Sequence, residues 1–180
     1  YNGLHLEGKM NDIFEKLRKK ETLAAAEAIP EDQLINASEY ASSYDPHVWF
    51  DPLLWNQVVT AIADKLSQVF PAHAEQVELN AEKLVNRIKQ LDQNNKLLLD
   101  NIPDQQRVLI TAHDAFKYFG RAYNIEVRGL QGISTAAEYG IQDVSSLVNF
   151  IVDNKIKAIF VESSVPKRSI EAVIQGARER

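Results

Sequence analysis

The chain has 180 residues, of which 45% are hydrophobic and 25% charged, with no cysteine and a formal net charge of -5. So much apolar chain can bury a sizeable core, which excludes disorder, and the acidic balance argues against a nucleic-acid surface, where basic residues gather on one face. Without cysteine there is neither a disulfide framework nor a thiolate metal site, so any metal must use nitrogen or oxygen ligands; no apolar run approaches the ~18 residues of a membrane span, and no signal-peptide pattern opens the sequence.

The opening "YNGLHLEGKM" reads as the end of a buried strand running into a helix. Ile13, Phe14 and Leu17 then recur at helical spacing, which predicts a helix from Asn11 to Lys20 with its basic residues at the negative end of the dipole. "TLAAAEAI", 22 to 29, is compatible with a buried strand, although its alanines make helix a competitor. Residues 36 to 44 are polar and predict a loop. Asp51 followed by Pro52 is a strong helix start, a carboxylate able to cap and a proline where its missing N–H is not needed. Leu54, Val58, Ile62, Leu66 and Val69 continue that helix on one face, and Pro71 ends it.

From Ala74 to Asp100, Val77, Ala81, Leu84, Ile88 and Leu91 fall at steps of three and four, with Val85 flanking the stripe and Leu98 and Ile102 resuming it. Such a helix would extend about 40 Å, long enough to bridge two lobes. After Pro103 the texture changes. "RVLIT" (107 to 111), "IEVRGL" (125 to 130) and "KAIFVES" (157 to 163) read as short strands, separated by helices over 114 to 123 and 141 to 154 and followed by one over 167 to 179. This alternation implies α/β architecture with a parallel sheet.

In open parallel sheets ligands bind beyond the carboxyl ends of the strands, near a topological switch point. His113 follows "RVLITA" and Glu162, Ser163 and Ser164 follow "KAIFV", so both fall at such ends. His47 lies in "DPHVWFDP", between Pro46 and the Asp51-Pro52 helix start. His47 and His113, on opposite sides of the long helix, are candidates for one interlobe metal site, since neutral imidazole is the commonest metal ligand. Asp45, Asp51 and Asp114 are candidates to orient the second ring nitrogens. Each histidine also has a structural reading, as a hydrogen-bonded turn or strand-end residue. His5 is read as a packing residue, His73 as solvated, and Trp49, Phe50 and Trp55 as core or cleft wall. Glu162 is open to three roles: ligand, orienting acceptor or helix cap.

Four segments, "YNGLHLEGKM", "DPHVWFDPLLW", "TAHDAFKYFGRAYNIEVRGLQGIST" and "AIFVESSVPKRSIEAV", together closely resemble the cluster A-I, or metal-binding, solute-binding proteins of bacterial zinc and manganese ABC transporters. The resemblance implies two parallel-sheet α/β lobes joined by a long rigid backbone helix: the remainder of the N-terminal lobe over 1–72, the linking helix over 73–102, and part of the C-terminal lobe over 103–180. It also implies that His47 and His113 are metal ligands and that the cargo is Zn²⁺ or Mn²⁺. Two of the four family ligands fall outside this sequence, one upstream and one downstream. It therefore reads as an internal segment, by itself a poor metal binder.

The same resemblance implies capture without catalysis. The complete protein would be monomeric, periplasmic or lipid-anchored on the outer face of the cytoplasmic membrane, and would deliver its ion to an ABC transporter permease. Imidazole at position 113, where some relatives carry glutamate, tilts the expectation towards zinc. Two competing classes remain: a metal-dependent hydrolase with Glu162 as general base, and a surface adhesin. The first lacks an HExxH-type motif.

Overall fold

The computed structural model describes residues 1–17, 20–37, 44–131, 140–162 and 167–179. The chain divides into two units, Tyr1–Leu99 and Asp100–Arg180.

The first unit is organised around α2 (Pro52–Val69). Asp51 caps it as its sequence dictates, with Oδ1 accepting from Leu53 N at 3.0 Å and Leu54 N at 3.3 Å, and Pro52 takes the first helical position. Its inner face, Leu54, Val58, Val59 and Ala63, is buried, and α2 packs on short 3-10 turns at Ala25–Ala28 and Val48–Phe50 and along α3 (Ala74–Leu99). The residues of α3 that turn inward are Val77, Ala81, Val85, Ile88 and Asp92, the last buried and paired with Lys96 at 2.7 Å. Leu84, Leu91 and Leu98 are exposed. The expected stripe is thus rotated by about one residue. The sequence carries two interleaved apolar rows at helical spacing, and only tertiary packing chooses between them.

Three other expectations for this unit change. Among the described residues of 1–99 no strand forms; there is one antiparallel bridge, Asn36 with Tyr44. Residues 22 to 29 make the 3-10 turn at Ala25–Ala28 rather than a strand, its Ala25 and Ala26 N–H groups donating to the Tyr1 and Asn2 carbonyls. The opening segment is a turn with Leu4 and His5 at φ 53° and 60°, and His5 is exposed rather than packed. Finally, α1 runs only over Asn11–Lys16. A one-and-a-half-turn helix is marginal without tertiary support, and Arg18 and Lys19 of the expected helix lie outside the described residues. Most of the loop expected over 36 to 44 lies outside the described residues.

The second unit contains the sheet. Strands β1 (Val108–His113) and β2 (Glu126–Gln131) are parallel, in a register that sets Val108 opposite Glu126 and His113 opposite Gln131. They are connected through α4 (Lys117–Tyr123), which ends at Asn124 in the left-handed conformation that asparagine tolerates. On its other edge β1 receives a single parallel bridge, Thr111 with Phe160, where Phe160 N donates to the Ile110 carbonyl at 2.8 Å. Among the described residues the third expected strand is therefore reduced to one bridge. Helices α5 (Ile141–Asp153) and α6 (Lys167–Arg178) pack on each other. Leu147, Val148 and Ile151 of α5 and Ile170 and Val173 of α6 close over Ile110, Ala112 and Leu130 of the sheet in one buried cluster.

Candidate metal-binding residues

The loop around His47 is built by its own sequence. Asp45 is wholly buried, and its Oδ1 accepts from the His47 backbone N–H at 2.9 Å while lying 2.7 Å from the ring Nδ1. A carboxylate that takes the N–H two residues on is an Asx-turn. Pro46 between them suits it, since it lacks an N–H and has a preset φ. The His47 carbonyl then accepts from Phe50 N at 3.3 Å, which starts the short turn leading to the Asp51 cap. The ring is buried, with the edge of Trp49 at 5.2 Å between centroids. Trp49 is thus a wall of the histidine's surroundings, as its type suggested.

His113 is the last residue of β1 and is also buried. From β1 the chain crosses to β2 on one side, then returns to place Phe160 on the other. The carboxyl end of β1 is therefore a topological switch point, the place where open α/β sheets bind ligands. Glu162 lies there. Its Oε2 is 2.7 Å from His113 Nδ1, close but outside hydrogen-bond alignment, and its Oε1 accepts weakly from the His113 backbone N–H at 3.4 Å. Thr111, buried, donates from Oγ1 to the His113 carbonyl at 2.8 Å. A further constraint comes from β2: a Cβ at Gly129 would stand 2.6 Å from Asp114 N and 2.8 Å from the His113 carbonyl carbon. Only glycine allows the chain to fold over β2 directly after His113.

Both histidines therefore have Nδ1 against a carboxylate. That arrangement favours the tautomer with hydrogen on Nδ1 and directs coordination through Nε2. Of the three aspartates expected to orient the rings, Asp45 does so. Asp51 caps α2 through Oδ1, and Asp114 pairs with Lys117 at 2.6 Å. Among the three roles open to Glu162, its contacts are those of an orienting acceptor. Ser163 and Ser164 lie outside the described residues. His73 is exposed in the turn Pro71–His73, as expected of a solvated residue. Among the described residues no group of three or more His, Asp or Glu side chains gathers to hold a metal, and no helix is long and apolar enough to cross a membrane. The residues that sequence reasoning passed over are Thr111 and Gly129. Thr111 is only two residues from His113, whereas nothing short of the strand register would have revealed the contact of Gly129.

The second unit thus carries an imidazole against a carboxylate at the switch point of its parallel sheet, and the first carries another such imidazole in a capped loop. The chain belongs to the family described as zinc-uptake complex component A, periplasmic, whose model matches residues 1–180. It is 46% identical over 181 residues to the manganese-binding lipoprotein MntA of Bacillus subtilis and 41% identical over 181 residues to the zinc-binding protein TroA of Treponema pallidum. Both matches take in 100% of this chain, but only 59% and 58% of those proteins. The solved structure of the periplasmic zinc-binding protein TroA from Treponema pallidum superposes with a TM-score of 0.95 at 41% identity, covering 100% of this chain and 65% of that one. The chain thus spans about three fifths of the curated relatives it matches. The kinship read from the four sequence segments is borne out.

Proposed function

We propose that this chain is part of an extracytoplasmic solute-binding protein that captures Zn²⁺ or Mn²⁺ for an ABC transporter permease, with His47 and His113 among the metal ligands. The observation that carries the reading is the repeated geometry, a buried imidazole with its Nδ1 2.7 Å from a carboxylate in each of the two units. Buried histidines used only for packing do not need it twice. The names of the relatives, one manganese-binding and one zinc-binding, support a divalent transition metal as cargo without choosing between the two.

Capture makes and breaks no bond. The ion loses water and gains nitrogen and oxygen donors held in place beforehand, and such preorganisation is what the carboxylates supply. Two imidazoles suit zinc better than manganese, as does the general affinity order. On this reading the protein is monomeric, works outside the cytoplasmic membrane, either periplasmic or lipid-anchored, and hands the ion to its permease. Glu162 as a hydrolytic base fits less well, because its carboxylate is already engaged with His113.

The test is calorimetric titration of Zn²⁺ and Mn²⁺ into the complete protein and its His47→Ala and His113→Ala variants. The expected result is a loss of affinity above about 100-fold in each, beyond the range seen for residues that only orient a ligand. Unchanged binding in either variant removes that histidine from the site.

A further inference from the structure

The motif "NGLHLE", residues 2–7, takes no part in the metal ligation proposed above, yet its backbone is among the most constrained in the chain. Gly3, Leu4, His5 and Gly8 all have positive φ, at 86°, 53°, 60° and 54°. Consecutive non-glycine residues in the left-handed region persist only where their surroundings over-determine them, and such strain gathers at functional positions. Here the surroundings are explicit. The Glu7 carboxylate folds back to accept Asn2 N–H at 2.6 Å and Gly3 N–H at 3.1 Å. Gly3 sits so close to the Ala25–Ala28 turn that a Cβ would lie 2.9 Å from Ala24 Cβ.

The turn holds one side chain in a particular place. Asn2 Nδ2 donates to the Gly3 carbonyl at 3.0 Å and, 44 residues along the chain, to the Pro46 carbonyl at 3.2 Å. That carbonyl belongs to the same peptide unit as the His47 N–H, which Asp45 takes at 2.9 Å. One peptide plane is thus held at both ends, its oxygen by Asn2 and its nitrogen by Asp45. Rotation of a peptide plane swings the Cα–Cβ bond of the residue that follows, and here that residue is His47.

We propose that the 2–7 turn is a positioning device for His47. Asn2, itself fixed by Glu7, sets the Pro46–His47 peptide plane and so the direction in which the imidazole offers Nε2 to the cation. Asn2 and Glu7 do not touch the ion. The inference rests on the reading of His47 as a ligand.

The experiment compares Asn2→Asp, Glu7→Gln, the double variant and His47→Ala in the complete protein. Zn²⁺ affinity is measured by chelator competition well below the melting temperature, with near-UV circular dichroism to show that each variant is folded. Asn2→Asp keeps the shape of the side chain and removes its N–H donors. It should weaken zinc about tenfold, the effect of losing a residue that orients a ligand. Glu7→Gln, which exchanges one acceptor oxygen for a donor, should weaken zinc less, and the double variant no more than Asn2→Asp alone, since both act through one path. A turn that merely supports the fold would lower the melting temperature and leave the affinity of the folded protein unchanged, which overturns the proposal. Should Asn2→Asp fail to fold, Glu7→Gln decides in the same way. His47→Ala separates the two ideas. Zinc binding that survives it removes the ligand assignment and this inference together, whereas binding lost in His47→Ala but intact in folded Asn2→Asp removes only the inference.

Discussion

His47 and His113 are held by the same chemistry built in opposite ways. Asp45, which holds His47, is two residues away, wholly buried, and takes backbone N–H and ring nitrogen through one oxygen. Glu162, which holds His113, comes from 49 residues further on, is part-exposed, and divides the task between its two oxygens. The first arrangement is an Asx-turn with proline at its centre, made within three consecutive residues, and Asn2 adds a hold on the Pro46 carbonyl. The second exists only because the 157–162 segment is seated on the edge of β1 by the Phe160–Ile110 hydrogen bond. A local clamp costs little chain entropy to close, whereas a distant one depends on all the packing that brings its partner home. The His47 loop should therefore keep its shape through disturbances that loosen the His113 end of the sheet.

The sharpest way to break this comparison is Asp45→Ala. It leaves the His47 N–H and ring nitrogen buried without their acceptor, so unfolding free energy should fall by about 2–4 kcal/mol, measured by urea denaturation, and metal affinity should fall with it. A loss below about 0.5 kcal/mol would mean that the clamp is not what holds the loop. Next is Gly129→Ala. Its Cβ needs space occupied by the backbone of His113 and Asp114, a strain of about 1–3 kcal/mol. Imidazole NMR signals should shift at His113 and stay in place at His47; movement of both would contradict the independence of the two holders.

Glu162→Ala is expected to act mainly on function. Because the side chain is part-exposed, the stability change should stay within about 1 kcal/mol while zinc affinity drops roughly 10- to 100-fold. A destabilisation as large as that of Asp45→Ala would erase the distinction between a buried and a part-exposed holder. The smallest effect belongs to Lys117→Ala. It removes the partner of Asp114 one residue beyond His113, and should cost no more than about 0.5 kcal/mol with affinity unchanged. A measurable loss of affinity would bring Asp114 back among the residues that orient the ring.

How much of this was legible beforehand follows the same division. The start of α2 was, because Asp51 and Pro52 are capping signals that act within one turn. So were the βαβ alternation after Pro103 and the long helix before it, since both are written as periodicity. The face that α3 turns inward was not, because its second apolar row, Leu84, Leu91 and Leu98, is as regular as the buried one. The "TLAAAEAI" segment stayed open between strand and helix because strand identity needs a neighbouring strand, and Tyr1 and Asn2 supply carbonyl acceptors to a 3-10 turn instead.

By itself the sequence determined the kinship, the two histidines as candidates, and a short set of neighbouring aspartates that includes Asp45, for these rest on residue types a few positions apart. Tertiary structure alone decided that Glu162, among several carboxylates, meets His113, that Gly129 must lack a side chain, and that Asn2 reaches the carbonyl of Pro46. Those are contacts between segments 15 to 49 residues apart. No spacing rule encodes such pairs, because their energy is realised only once the intervening chain has packed.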